Sequence, residues 1–347
     1  IASLAYASAP ANESFTRMTS TVDADNFLVN AGADYLEGTV QAGGDMFEGT
    51  SIANGNLTFG TQRVTGSLNT DIPDFLNSNN TVGFGVLATS TEYDNAGYES
   101  SKYGASSSLK YDLYEDISIK PGFGLDFEKV SALSNASDLT KKQAGDYFTM
   151  RGFYTIANDK RNRSFFTTDG HRVAFSQTLG IPGSEIPYIN NELSGAFYET
   201  LLPGYTFSLK GQLEGINSLN NKDIKLSDRK YLSNRQLRGF ENFATGPKDG
   251  TRYIGGNYSA NASISSTFPN PIPEKYNLST STFLDIGNIW GVDYDSSLDN
   301  NKIRSSIGVG VDWISPIGPL SLTFSEVLSK TSSDLEESFS FQIGSSF

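Results

Sequence analysis

The clearest pattern along the chain is a strict alternation of apolar and polar residues in many separate segments. In the last segment, Phe339, Phe341, Ile343 and Phe347 share one parity, and Ser, Gln and Gly residues occupy the other. Successive side chains of a β-strand point to opposite faces, so such a segment is apolar on one face and polar on the other. The same alternation recurs in three upstream segments: 205–214, 303–313 and 320–325. The pattern predicts an all-β chain.

Two all-β architectures alternate in this way, a soluble sandwich and a membrane barrel. Strands of a sandwich average ~5–6 residues and bury a packed core between two sheets. Many segments here run to about ten residues or more, which is the length that a tilted strand needs to cross a bilayer. Their polar face is rich in Gly, Ser and Asn, as a water-filled lumen requires. We therefore predict a transmembrane antiparallel β-barrel.

The coarse boundaries predict about sixteen strands, an even number, as single-chain bacterial barrels require. The segments lie near 25–34, 37–47, 50–60, 62–72, 80–93, 102–114, 116–130, 146–158, 170–180, 187–201, 204–216, 255–268, 277–290, 302–314, 318–328 and 336–347. We assign 25–347 to the barrel and expect residues 1–24 to be a linker or the end of a periplasmic region.

Composition narrows the possible partners. Lys plus Arg (26) against Asp plus Glu (39) gives a net charge of −13, which argues against nucleic acid, because phosphate binding needs a basic face. Hydrophobic residues make up 37% of the chain, and no stretch approaches the ~18–20 consecutive apolar residues of a transmembrane helix. Contact with lipid would therefore come from alternate positions of strands. The absence of cysteine assigns no compartment.

The longest irregular stretch, about 217–254, has a charge opposite to that of the whole chain. Segment 221–238 carries six Lys or Arg residues and two Asp residues. A net-basic loop in an acidic barrel is drawn inward by the summed field. Irregular backbone is also tolerated at membrane depth only where protein or lumen water surrounds it. We predict that this loop folds into the lumen.

Several motifs resemble the BamA branch of the bacterial outer-membrane protein insertase superfamily. The loop contains Leu237-Arg238-Gly239-Phe240, then Gly246-Pro247 and Gly255-Gly256-Asn257. This is similar to the family's Val-Arg-Gly-Phe loop and the pieces that follow it. Three further segments agree in order, namely 283–290, 313–320 and the terminal 339–347. The resemblance covers about 150–347 and is thinner over 25–150.

The family loop motif implies a partner for Arg238 inside the barrel. Asp285 has the lumen parity of Ser279, Ser281 and Phe283, so guanidinium and carboxylate could pair there bidentately. The alternative is an exposed loop arginine without a partner. The chain also departs from the family at two places. Ser233-Asn234 replaces a usual Gly-Gly, and Ser265 stands where we count the family's second carboxylate. Asp285 is therefore expected to be the main partner.

The resemblance also implies a mechanism at a seam between the first and last strands. That seam would part to template incoming strands, so the chain would fold and insert other outer-membrane proteins. The seam residues are, in the first strand, Phe27, Val29 and Ala31, and in the last, Phe339, Phe341, Ile343, Gly344 and Phe347. Implied partners are unfolded outer-membrane proteins, outer-membrane lipids, and accessory lipoproteins acting through POTRA domains that this sequence lacks. The implied location is the bacterial outer membrane.

No residue pattern indicates catalysis. His171 is the only histidine, and no Gly-x-Ser-x-Gly motif is present. Asp293, Asp295 and Asp299 could bind calcium weakly or simply form a solvated loop. We expect neither an enzyme nor a metal or cofactor site. The rival functions are a polypeptide-secreting or passive pore and a receptor or adhesin barrel.

Overall fold

The computed structural model describes residues 27–32, 35–46, 51–60, 63–163, 167–269, 278–315 and 318–343. Side chains are described from residue 64 onward, except 164–166, 270–277, 314–319 and 342–347. Residues 1–24, which the sequence assigns to a linker or periplasmic region, lie outside these ranges. Within the ranges, no helix is long and apolar enough to cross a membrane.

The described chain is built almost entirely from antiparallel strands. Their bounds are β1 Phe27–Gly32, β2 Tyr35–Met46, β3 Ser51–Gly60, β4 Arg63–Ile72, β5 Thr81–Tyr93, β6 Tyr98–Tyr114, β7 Ile117–Ala132, β8 Gly145–Asp159, β9 Gly170–Gly180, β10 Tyr188–Leu202, β11 Tyr205–Ser218, β12 Lys248–Asp249, β13 Arg252–Tyr253, β14 Tyr258–Phe268, β15 Leu278–Trp290, β16 Arg304–Ser315, β17 Gly318–Ser329 and β18 Phe339–Ile343. A short helix, α1 (Asp138–Lys142), begins after Ser137, whose hydroxyl accepts from the Thr140 N–H.

One large sheet contains every strand except the small hairpin β12–β13, and consecutive strands of the sheet are neighbours. β11 pairs with β14, so the long loop leaves the sheet and returns to it without interrupting the order. β1 pairs with both β2 and β18, and the strand order therefore returns on itself. The predicted all-β, antiparallel architecture is confirmed.

The two faces of the sheet differ in the way that the alternation predicts. In β15, Phe283, Asp285 and Ile289 are buried, whereas Leu284 and Ile286 between them are exposed. Exposed apolar side chains of the same outward parity follow the other strands, for example Val173, Phe197, Leu213, Ile264, Ile307 and Phe324. We call the side of the sheet that carries these residues the apolar face, and the opposite side the polar face. Large exposed apolar surfaces of this kind mark a site that meets lipid or another apolar partner.

Every second connection of an antiparallel sheet lies at the same end. The connections after β5, β7, β11, β15 and β17 share one end, which we call the loop end. Side chains from the first four of these connections and the adjoining strand ends pack there in a buried cluster of Ala96, Tyr98, Val130, Leu226, Ile254 and Val292. The backbone joins them as well, since the Tyr253 N–H donates to the Asn95 carbonyl at 2.9 Å. The loop between β11 and β14 is thus packed against its neighbours.

Candidate functional site

The loop motif begins with a tight turn that Ser233 and Gln236 stabilise. The Gln236 Oε1 accepts hydrogen bonds from the Ser233 N–H at 3.0 Å and from its hydroxyl at 2.9 Å. The Leu237 N–H donates to the Ser233 carbonyl at 3.0 Å, which closes the turn. Ser233 therefore uses its side chain here, where the family usually has glycine. The turn directs Leu237 and Arg238 toward the polar face of the sheet.

Arg238 is held by Asp285 through two parallel side-chain bonds. Its Nε donates to Asp285 Oδ2 and its Nη2 to Asp285 Oδ1, each at 2.7 Å. The Arg238 backbone N–H adds a third bond to Oδ2 at 3.1 Å. The Arg238 guanidinium also lies 3.4 Å from the centroid of the Phe283 ring. A bidentate pair with a stacked ring fixes both the position and the orientation of the loop.

Three adjacent strands supply one row of groups under Arg238. In register, Asp285 of β15 lies between Ser263 of β14 and Ser306 of β16. Arg238 Nη2 donates to the Ser263 hydroxyl at 2.9 Å, and the Ser306 hydroxyl donates to the Arg238 carbonyl. The Asp285 side chain is fully buried. A buried carboxylate is costly unless it is paired, so the row depends on Arg238.

The other motif residues fill the space beside this pair. Leu237 and Phe240 pack with Leu232 and Ile289 in a buried cluster. Gly239 has a positive φ of 92°, and a Cβ built there would lie 3.1 Å from the Ser306 Cβ. A side chain at this position would therefore meet both unfavourable backbone geometry and β16. The motif combines one charged contact, two apolar anchors and a glycine that permits close approach.

The register shows which serine of β14 reaches Arg238. Ser265 is not the residue that faces Arg238, because its hydroxyl is 2.7 Å from that of Ser208 on β11. Ser263, two residues earlier and of the same parity, bonds Arg238 instead. Parity selects the face but leaves positions two residues apart equivalent, and register distinguishes them.

Lys225 forms a second attachment of the loop that the sequence did not indicate. Its ammonium lies 2.8 Å from Glu128 of β7 and 3.1 Å from Asp228 within the loop. Burial alone would lower the pKa of Lys225, but the charges of Asp228 and Glu128 raise it well above its ordinary value. The lysine is therefore charged at all physiological pH values, and it attaches the loop to β7.

Arg229 and Arg304 form two further buried ion pairs near the loop end. Arg229 pairs with Asp293 of the connection after β15, and its side chain is fully buried. Arg304 of β16 binds Asp334 through Nε and Nη2, each at 3.0 Å, and both side chains are fully buried. Arg304 could be recognised in the sequence as a long charged residue on the polar parity of its strand. Nothing in the sequence indicated Asp334, thirty residues away, as its partner.

The acidic connection after β15 is not a simple solvated loop. Asp293 accepts from Arg229 and from the Ile224 N–H at 2.7 Å. Asp299 Oδ1 accepts from the Gly291 N–H, also at 2.7 Å. Asp295 bonds Ser297 within its own turn. Among the described residues, no group of three or more His, Cys, Asp or Glu could hold a metal ion.

The seam residues that the structure describes lie on the first and last strands. β1 and β18 pair in register at Val29 with Ile343, Asn30 with Gln342 and Ala31 with Phe341. Phe27 pairs only with Val40 of β2 among the described residues. The Phe339 ring lies 5.0 Å from that of Phe324, on the apolar face. Gly344 and Phe347 lie outside the described residues.

The last strand begins later than the alternation predicts. β18 starts at Phe339 rather than near 336, because residues 335–337 pair with the loop instead of with β17. Similarly, β6 extends back to Tyr98 rather than starting near 102, and the loop contains the small hairpin β12–β13.

The single histidine, His171 of β9, has its Nε2 3.0 Å from the Oδ1 of Asn158 on β8.

Known relatives are similar to this chain in sequence. The chain is 25% identical over 262 residues to the outer membrane protein assembly factor BamA of Neorickettsia risticii, covering 74% of this chain and 35% of the relative. It is 25% identical over 227 residues to BamA of Neisseria meningitidis serogroup B, covering 57% and 28%. The chain therefore spans about a third of the length of these relatives.

The architecture matches a solved structure. BamA from Haemophilus ducreyi lacking POTRA domains 1–3 superposes with a TM-score of 0.81 over 95% of this chain and 71% of the other, at 23% identity. This likeness concerns the fold. The chain is a β-barrel protein of the bacterial outer membrane, as the sequence predicted. A model of the Omp85 superfamily domain matches residues 48–347, and the chain belongs to that superfamily.

Proposed function

We propose that this chain is the central barrel of an outer-membrane assembly machinery, which folds other outer-membrane proteins and inserts them through the seam between β1 and β18. In this proposal the sixteen-stranded sheet is a closed transmembrane barrel. The apolar face meets lipid, the polar face lines the lumen, and the loop occupies the lumen. The proposal is supported by superfamily membership and by the BamA relatives, which are named as outer membrane protein assembly factors.

The observation that carries the proposal is that β1 and β18, the first and last strands of the sheet, pair with each other. In the described residues these strands pair at three positions, and no turn connects them. Net backbone hydrogen bonds are worth ~0.5–1.5 kcal/mol each in water and more in lipid. Two strands that no turn connects can part at a cost that a binding event can offset, whereas the turn of a hairpin keeps its two strands together.

An opened seam offers two unpaired edges to a substrate strand. Each edge presents backbone donors and acceptors, and an extended segment satisfies them by β-strand addition without regard to its sequence. The substrate then buries its own apolar face in lipid, which supplies the driving force without a nucleotide. The groups that do this are backbone amides and carbonyls, so the proposed function needs no catalytic side chain. Unfolded outer-membrane proteins are the substrates, and bilayer lipids are the solvent.

Accessory lipoproteins remain expected partners through POTRA domains, because the relatives are about three times longer than the matching region. A polypeptide-secreting or passive pore is the rival function. It would need a stable seam and an open lumen, whereas the Arg238–Asp285 attachment keeps the loop against the polar face.

The test is reconstitution of the full-length protein in lipid vesicles with an unfolded outer-membrane protein as substrate. Folding of the substrate is scored by its altered mobility in unheated gels. We expect faster substrate folding than in empty vesicles or in vesicles holding an unrelated barrel. Ion conductance without faster folding would reject the proposal in favour of a pore.

A further inference from the structure

The loop is bonded to the segment that leads into the last strand, and this link carries an inference of its own. The Glu337 N–H donates to the Gly239 carbonyl at 3.0 Å, and the Glu241 N–H donates to the Leu335 carbonyl at 3.1 Å. The Leu335 N–H reaches the Ala244 carbonyl at 3.2 Å. Phe240 and Glu336 form an antiparallel bridge. Residues 239–241 and 335–337 thus form a short piece of ladder apart from the main sheet.

Side chains reinforce the same contact. Asn234 Nδ2 donates to Glu337 Oε2 at 3.2 Å, directly before the loop motif. The Tyr253 hydroxyl of β13 donates to the Ser333 carbonyl, and Lys248 Nζ of β12 lies 3.4 Å from that oxygen. The small hairpin of the loop therefore holds the beginning of the segment, while the loop motif holds its end.

The segment that leads into the last strand is itself bonded to β16. Asp334 receives both Arg304 bonds and also accepts from the Thr331 N–H at 2.6 Å. Arg304 Nη1 in turn donates to Asn288 Oδ1 of β15 at 2.6 Å. Asn288 is three residues from Asp285 on the same strand. The loop arginine and the segment before β18 are therefore each attached to β15, the first through Asp285 and the second through Arg304 and Asn288.

The last strand is consequently held by different partners at its two ends. Near the loop end, Phe339 and Ser340 pair with β17, and the preceding residues pair with the loop. The registered pairs with β1 begin only at Phe341. At the loop end, then, the described part of the last strand depends on the loop and not on β1.

We propose that loop residues 239–244 position the last strand, so that the Arg238–Asp285 pair and segment 335–337 open and close as one cooperative unit. The seam can then part between β1 and β18 while β18 stays attached to β17 and to the loop. Leu335, Glu337 and Glu241 are positioning residues in this scheme and act through their backbone, to which Glu337 adds its carboxylate. Its link to insertion rests on the proposed function, but the coupling itself is a property of the free barrel.

Amide hydrogen exchange of the barrel in lipid, without substrate, tests the coupling. Arg238→Ala removes the ion pair but none of the backbone bonds to 335–337. We expect the amides of Glu241, Leu335 and Glu337 to exchange faster together, by on the order of tenfold or more. The Leu193 amide of β10 serves as the internal control for any global loss of stability and should accelerate less than these three. Unchanged exchange at Leu335 and Glu337, with faster exchange at Glu241 alone, would overturn the proposal.

A disulfide provides the second arm and a check that the variant still folds. Glu241 and Leu335 lie directly opposite each other in the short ladder, and the chain has no cysteine of its own. The pair Glu241→Cys and Leu335→Cys, oxidised in the Arg238→Ala background, should restore slow exchange at Glu337. In the parent background the same disulfide should leave substrate folding intact, because the loop stays on the last strand throughout. Arrest of folding by this disulfide would show that loop and strand must separate, and would overturn the proposal without touching the proposed seam.

Discussion

The seam and the wall formed by β14, β15 and β16 are both antiparallel contacts, yet they are stabilised very differently. In the wall, β14 pairs with β15 from Tyr258–Trp290 to Phe268–Thr280, and a buried ion pair fastens the loop across all three strands. At the seam, the described part of β1 meets β18 at three positions. The difference teaches that closure is uneven. In the wall, chain connections and the loop arginine both hold the strands, whereas at the seam no connection joins β1 to β18.

Locking the seam should have the largest effect. Cysteines at Asn30 and Gln342, which are paired in register, would form a disulfide across it when oxidised. We expect substrate folding to stop and to return on reduction, because the edges could not be exposed. The matched control is Ala196→Cys with Lys210→Cys, which are opposite each other in the β10–β11 hairpin. Its oxidation should have no effect, and full activity of the seam-locked protein would remove the seam from the mechanism.

Removing the loop arginine should have the next largest effect. Arg238→Ala leaves Asp285 buried and unpaired, a situation that typically costs about 3–5 kcal/mol. We expect a comparable fall in the free energy of unfolding in lipid, measured by urea titration, and a marked loss of substrate folding. Arg161→Ala is the control, since its partner Asp159 is partly exposed and surface pairs contribute about 0–1 kcal/mol. Equal losses in the two variants would contradict the special place of Arg238. Arg229 is unsuitable as a control, because it is itself buried against Asp293.

Lys225→Ala should loosen the loop without opening the sheet. It leaves Glu128 and Asp228 without their shared cation, at a cost of about 1–3 kcal/mol, so we expect proteolysis within 219–230 to become about 5- to 150-fold faster. Lys222→Ala, at an exposed position, should leave the rate of proteolysis unchanged.

The pH dependence of loop protection has a definite sign. Because the folded pKa of Lys225 lies above its ordinary value of 10.5, its stabilising contribution is complete below that pH and is lost only above it. Loop protection in the parent should thus be flat from about pH 6 to 9. A decline in that range would show that another group governs the loop.

Ser263→Ala should have the smallest effect of the series. It removes one of several hydrogen bonds to Arg238, worth about 0.5–1.5 kcal/mol, and leaves Asp285 in place. Protection of the Arg238 backbone amide should fall slightly. Ser265→Ala, two residues along the same face, should leave that amide unchanged, because Ser265 bonds Ser208. The reverse order would mean that the register of β14 differs from the one described.

Strands and faces could be predicted from the sequence because they depend on a local period of two. The apolar parity of Ile307, Val309 and Trp313 is readable without a partner strand. The Arg238–Asp285 contact could be predicted, because the family motif indicated Arg238 and the strand parity indicated Asp285. Neither source could choose between Ser263 and Ser265, since both share a face and register depends on pairing with β15.

The ion pairs beyond Arg238 lay outside any sequence argument. Lys225 and Glu128 are ninety-seven residues apart, and each resembles an ordinary charged residue at the end of an element. Asp334 sits in a polar stretch that reads as a turn, and the pairing of 335–337 with the loop has no periodic signature. Such contacts form only after the sheet has brought the loop-end connections together, so tertiary structure alone defines them.

The central claim, that the seam is the contact that opens, is tested most directly by a distance measurement during substrate folding. Leu36, Ala31, Phe341 and Leu322 form one row across β2, β1, β18 and β17. Ala174, Ser194, Gln212 and Asn261 form a matching row across β9, β10, β11 and β14. Spin labels on the outer members of each row should start at about 14 Å, three strand spacings. With a stalled substrate bound, we expect the Leu36–Leu322 distance to grow by about 10 Å or more, two strand spacings, and the Ala174–Asn261 distance to stay constant. Substrate folding with both distances unchanged would contradict the account.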